Sequence, residues 1–135
     1  RGTYQKGRSG MITEQAVQAV RAFEFDELVE RCLGNLEFVE RVLGKFQQRF
    51  GENLEALEKA VDAHDTEGVV QLAHRLKGES ANVAARGLRD QAGEIERLGR
   101  SGQICDIPPC LAELRVEWSS FAESVASLDL WDGVV

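Results

Sequence analysis

Hydrophobic residues recur every three or four positions along most of the chain, which is the period of one face of an α-helix. The longest such run extends from Leu36 to Val61 and follows Asn35, a residue type that favours the N-cap position. We expect this helix to end near His64 and Asp65. Its central inward positions are Val39, Leu43, Phe46, Phe50, Leu54 and Leu57.

Three further runs with the same period follow this helix. The first begins after Asp65, which together with Thr66 and Glu67 provides a cap and an acidic first turn. The second opens near Gly87, and the third begins at Ile107-Pro108-Pro109, because proline is tolerated in a first helical turn. Their inward positions are Val69, Ala73, Leu76, Ser80 and Val83, then Leu88, Ala92, Ile95 and Leu98, and finally Ile107, Leu111, Leu114, Trp118, Phe121, Val125 and Leu128.

Four long amphipathic helices joined by short connections predict an all-α fold, an antiparallel up-down four-helix bundle. Two short helices, Met11 to Ala22 and Phe25 to Leu33, are expected to cap one end of it, with Gly34 closing the second. Residues 1–10 are Gly-rich and lack apolar periodicity, which predicts a flexible leader or a cloning remnant. The predicted bundle therefore occupies residues 11–130, and residues 131–135 form a tail.

The composition narrows the classes of function. A net charge of −7 argues against nucleic-acid binding, which needs clustered Lys and Arg. No apolar run approaches the ~18–20 residues that span a bilayer, so we expect a cytoplasmic protein without membrane insertion. The three cysteines contain no CxxC pair, which predicts reduced thiols, no disulfide framework and no metal site. We expect a monomer, although the apolar C-terminal residues could cover a neighbour.

The most informative residue is His74, one of two histidines. On a helix with about 100° per residue, His74 lies roughly 140° from the core stripe, Lys77 about 80° and Gly78 about 180°. An outward neutral imidazole can attack a phosphoryl group and hold it as a phosphoramidate. Lys77 can reach the phosphoryl oxygens, and Gly78 leaves room for a partner. We expect no second acid or base beside His74, and therefore a carrier without catalytic activity of its own.

The same geometry also describes an ordinary solvated face. His64 is interpreted in that way, because a histidine suits the end of a helix. Arg75 and Glu79 are likewise read as solvated, with Arg75 able to attract an acidic partner. Val70 and Ala81 lie on the outward side of the helix near His74, where a partner would dock.

The segment HRLKGESANV, from His74 to Val83, resembles the H-x-L-K-G-x-S-A-N-L segment of histidine-containing phosphotransfer (Hpt) domains. These domains are phosphocarriers of multistep two-component phosphorelays, and the resemblance extends roughly over residues 25–128. It implies that His74 accepts the phosphoryl group on its outer ring nitrogen, that Lys77 interacts with that group, and that Gly78 makes room for the partner. The implied partners are response-regulator receiver domains, with a sensor or hybrid histidine kinase upstream. The receiver supplies the aspartate and Mg²⁺, and the Hpt domain has no cofactor of its own.

Two positions depart from the family pattern. Glu79 replaces a residue that is often small, but we expect it on the opposite flank from Lys77, where its effect is slight. Ala84 stands where a glycine commonly ends the helix, and we expect Gly87 to take over the left-handed turn.

Two other functions remain open at this point. One is the phosphoacceptor domain of a chemotaxis-type histidine kinase, which receives phosphate from the ATP-binding domain of the same kinase. The other is a helical adaptor that binds a receiver domain without phosphate chemistry.

Overall fold

The computed structural model describes residues 24–128. The expected leader (residues 1–10), the expected helix over residues 11–22 and the expected tail (residues 131–135) all lie outside this range. Within it, five α-helices and one 3₁₀ turn at Ile104–Asp106 follow one another. The helices are α1 (Phe25–Arg31), α2 (Leu36–Asp62), α3 (Thr66–Asn82), α4 (Arg86–Arg100) and α5 (Ile107–Ala126).

The four long helices pack in sequential order, α2 on α3, α3 on α4 and α4 on α5, and α5 closes the bundle against α2. Because the connections are short, consecutive helices run antiparallel. The predicted all-α up-down bundle is thus confirmed. The inward positions predicted for α3 are all buried, and the buried hydroxyl of Ser80 donates to the Leu76 carbonyl at 2.8 Å. At the α2–α5 seam, the half-buried ring of Trp118 stacks on Phe50 with 4.4 Å between ring centroids.

Side-chain caps begin α2 and α3. The Asn35 side chain accepts from the backbone N–H of Phe38 at 3.0 Å, and that of Asp65 accepts from Gly68 at 3.0 Å. Both residues satisfy otherwise unpaired N–H groups, as the sequence predicted. At the other end, α2 finishes at Asp62, slightly earlier than the expected boundary near His64.

Three helices end on a left-handed residue that is not glycine. Leu33, His64 and Ala84 follow α1, α2 and α3 with φ values of 56°, 56° and 59°. The expectation that Gly87 takes the left-handed turn after α3 is wrong, because Gly87 is already inside α4. The turn is set by the hydrogen bond from the Ala85 N–H to the Ser80 carbonyl (2.9 Å), which requires the residue between Val83 and Ala85 to be left-handed.

We expect His64→Gly to raise the free energy of unfolding by about 0.5–1 kcal/mol. A non-glycine residue in this conformation costs about 1–2 kcal/mol, and the greater freedom of glycine in the unfolded chain offsets part of the gain. His64 is exposed, so little packing is lost. Urea unfolding of both proteins measures the difference, and a less stable variant would contradict the strain argument. The variant also leaves His74 as the one histidine of the chain.

The short helix α1 caps one end of the bundle, as predicted. The Arg31 guanidinium donates to the last carbonyls of α3, those of Ala81 (2.8 Å) and Asn82 (3.1 Å). The backbone N–H of Glu24 donates to the Ala84 carbonyl at 2.8 Å. These contacts satisfy carbonyls that the end of α3 leaves unpaired.

None of the helices in residues 24–128 is long and apolar enough to cross a membrane.

Candidate functional site

His74 projects from the middle of α3 into solvent. Its side chain is 64% exposed, whereas its neighbours on the inward stripe, Ala73 and Leu76, are fully buried. The helical period therefore places the imidazole where the sequence predicted it. The orientation needs no special backbone conformation, since α3 is regular from Thr66 to Asn82.

A buried carboxylate lies against the inner edge of this ring. Glu96 of α4 is only 8% exposed in its side chain, and its Oε2 atom is 3.0 Å from the His74 Nδ1 atom. The sequence-based expectation that no acid or base lies beside His74 is therefore wrong. Because an ionised carboxylate can only accept, Nδ1 carries the proton and donates it. The lone pair of the neutral ring is then on Nε2, the nitrogen away from the protein.

Two cations complete the cluster around Glu96. The Lys77 ammonium lies 2.8 Å from Oε1, and the Arg100 guanidinium donates to Oε2 through two nitrogens, at 2.8 and 3.1 Å. Burial raises the pKa of the Glu96 carboxyl, but hydrogen bonds from Lys77, Arg100 and His74 outweigh it and lower the pKa to about 2. The carboxylate is thus ionised at every physiological pH.

The stem of Lys77 lies across α4 at Gly93. A Cβ atom at Gly93 would be 3.3 Å from Cδ of Lys77, so the missing side chain leaves room for that stem. Lys77 is therefore engaged with Glu96 in this structure, and its ammonium is on the Nδ1 side of the His74 ring. Its side chain remains 40% exposed, which leaves it free to turn outward.

The four expected docking positions divide into two pairs. Arg75 and Gly78 are exposed, and a methyl group at Gly78 would have no atom of the described chain within 4 Å apart from its own neighbours along the helix. Val70 and Ala81 are half-buried. Val70 packs against α4, where a Cβ atom at Gly99 would be 2.7 Å from its Cγ2, and the Ala81 carbonyl accepts from Arg31 of α1. Only the first pair is fully open to a partner.

Glu79 and His64 lie away from the cluster. The interpretation of Glu79 as solvated is wrong, because it is half-buried and accepts from the Asn53 amide of α2 at 3.2 and 3.3 Å. Its contact with α2 places it on the opposite flank from Lys77, as expected. His64 is exposed at the end of α2, outside the cluster.

Among residues 24–128, no three His, Cys, Asp or Glu side chains are grouped so that they could hold a metal ion.

Sequence reasoning missed both Glu96 and Arg100. A signal for Glu96 was present, since Leu88, Ala92 and Glu96 are spaced by four and continue one row of the inward side of α4. A carboxylate in such a row needs a partner on the facing helix. Which partner it meets depends on how α4 is rotated against α3, and the sequence does not show that rotation.

The buried Glu96 leads to a prediction about acid stability. Its pKa is lowered from 4.5 to about 2, so the carboxylate stabilises the fold fully above pH ~4.5 and loses that contribution as the pH falls through 2. We expect the difference in unfolding free energy between the wild type and Glu96→Gln to shrink by about 2–3 kcal/mol across this window. Urea titrations at several pH values measure it. A constant difference would show that Glu96 titrates normally.

The segment that carries this cluster matches a known protein family. A family model described as the Hpt domain matches residues 41–124, which span most of α2, all of α3 and α4, and nearly all of α5. The match contains the whole cluster of His74, Lys77, Glu96 and Arg100, whereas α1 lies outside it. Searches of curated proteins and of solved structures returned no significant match. The matched segment is more than half of the chain, and the chain therefore belongs to the Hpt-domain family, whose members are phosphocarrier modules of phosphorelays rather than enzymes in themselves.

Proposed function

We propose that this chain carries a phosphoryl group on Nε2 of His74, accepting it reversibly from the aspartyl phosphate of one receiver domain and passing it to the aspartate of another. The observation that carries the proposal is the exposed imidazole whose Nδ1–H is held by the buried Glu96, inside the segment that matches the Hpt domain. An exposed histidine without an orienting partner would be an ordinary surface residue.

The transfer step follows from this arrangement. The Nε2 lone pair attacks phosphorus, the P–Nε2 bond forms, and the P–O bond of the aspartyl phosphate breaks with its electron pair returning to the carboxylate. Lys77 can leave Glu96 by rotation of its exposed end and pair with the phosphoryl oxygens, where a compact ammonium acts as a point charge. Arg100 remains on Glu96 through two hydrogen bonds and keeps the carboxylate in place.

The partner supplies the rest of the chemistry in this proposal. Phosphoryl transfer depends mainly on positioning and on metal electrostatics. We assign the Mg²⁺ and the phospho-accepting aspartate to the receiver domain. The exposed Gly78 and Arg75 form the open approach to His74, with Val70 and Ala81 at its margins. Transfer of labelled phosphate from a phosphorylated receiver in the presence of Mg²⁺ tests the proposal directly.

A further inference from the structure

We propose that Glu96 also controls the release of the phosphoryl group, because it keeps Nδ1 of phosphorylated His74 protonated and the P–Nε2 bond therefore ready to break at neutral pH. This inference rests on the proposed function and concerns its second half, the departure of the phosphoryl group. Glu96 is a positioning residue in this role, since it contacts the ring and not the phosphorus.

The reason lies in the leaving group. When a carboxylate oxygen of the next receiver attacks phosphorus, the P–O bond forms and the electron pair of the P–N bond returns to Nε2. A ring that holds a proton on Nδ1 leaves as neutral imidazole, whereas a ring without it must leave as an imidazolate anion, a much stronger base and a poorer leaving group. The proton stays on Nδ1 throughout, so the step needs no acid from the partner.

The charges around the ring favour the protonated form. The Glu96 carboxylate is the nearest charged group, 3.0 Å from Nδ1. Lys77 on α3 and Arg100 on α4 oppose it, and the exposed Arg75 follows His74 in the chain. The phosphoryl group adds a charge of about −1.5 to −2, which favours ring protonation and draws Lys77 away from Glu96. The ring then has an anionic group on each side, the phosphoryl group at Nε2 and Glu96 at Nδ1.

The test is the pH profile of phosphoryl loss from His74. The protein is phosphorylated with phosphoramidate, a chemical donor, so that no receiver is needed. All proteins compared carry His64→Gly, so that His74 is the one histidine that can be labelled, and "wild type" here means this background with Glu96 intact. With Glu96 present, we expect the rate of loss to stay level through neutrality and to fall only at higher pH. In Glu96→Gln the rate should fall with rising pH at a midpoint at least about one pH unit lower than in the protein that keeps Glu96. At pH 8 the variant should retain its phosphoryl group about 10-fold longer, since one pH unit corresponds to a factor of ten.

The control is Glu94→Gln. Glu94 is a nearby carboxylate of α4 that pairs with Arg97 instead of His74, so its profile should match that of the wild type. Superimposed profiles for the wild type and Glu96→Gln would overturn the inference. If Glu96→Gln fails to fold, ¹⁵N NMR of the phosphorylated wild type decides: a proton on Nδ1 at pH 8 supports the inference, and its absence overturns it. Failure of the proposed function would instead appear as no transfer from any receiver to the wild type, which leaves this chemical assay unaffected.

Discussion

The His74→Gln variant is expected to accept no phosphoryl group from any receiver domain and to fold as the wild type does. Loss of the imidazole leaves Lys77 and Arg100 on the Glu96 carboxylate, so the buried charge keeps its two cationic partners. The glutamine amide is not nucleophilic, however, and the phosphoramidate cannot form. Transfer of labelled phosphate with Mg²⁺ measures the effect, and the wild-type label should be acid-labile and base-stable. Chelation of Mg²⁺ should stop transfer to the wild type as well.

His64→Gly is the matched control for this experiment. It removes the other histidine, which is exposed at the end of α2, and should be labelled as fully as the wild type. Label that persists on His74→Gln would show that the wrong residue was assigned. Label from ATP and a histidine-kinase catalytic domain, but from no receiver, would favour the chemotaxis-type kinase. Binding to a receiver without labelling would favour an adaptor.

A large side chain at Gly78 should prevent the partner from docking. Gly78 is exposed, one helical turn after His74, and a Cβ atom there meets nothing in residues 24–128 within 4 Å beyond its own helix. Gly78→Trp should therefore leave the stability unchanged or slightly higher, because glycine is the poorer helix former. It should lower the transfer rate at least about 100-fold, since a misplacement of roughly 1 Å between reacting groups can cost that much. Transfer rates and urea unfolding are measured on the same preparation.

Gly44→Trp provides the comparison for steric bulk alone. Gly44 is an exposed glycine of α2, and a Cβ atom there also meets nothing in the described part of the chain within 4 Å beyond its own helix. It lies nine residues before Asn53, the α2 residue that contacts Glu79 of α3. Its transfer rate should equal that of the wild type. If both tryptophan variants transferred phosphate at the wild-type rate, the partner would have to approach His74 from a side other than that of Gly78. If chemical loading by phosphoramidate also failed for Gly78→Trp, the loss would lie in the site itself.

The sequence by itself determined the helices, the bundle and the outward position of His74. These features depend on local information: the period of apolar residues, the caps at Asn35 and Asp65, and the position of His74 relative to its own stripe. The motif from His74 to Val83 also indicated the family that the Hpt match over residues 41–124 confirms. A helix buries its stripe whichever neighbour it meets, so its own residues suffice for these predictions.

Only the tertiary structure decided what lies beside His74. The contact from Glu96 to Nδ1, and the two cations on the same carboxylate, depend on the rotation and register of α4 against α3. The left-handed turn at Ala84 likewise depends on the start of α4, which leaves too few residues for the turn to form at Gly87. A shift of one residue along α4 turns the helix by about 100° and would remove Glu96 from the ring. Packing of the whole bundle selects that register, and no local pattern in the sequence records it.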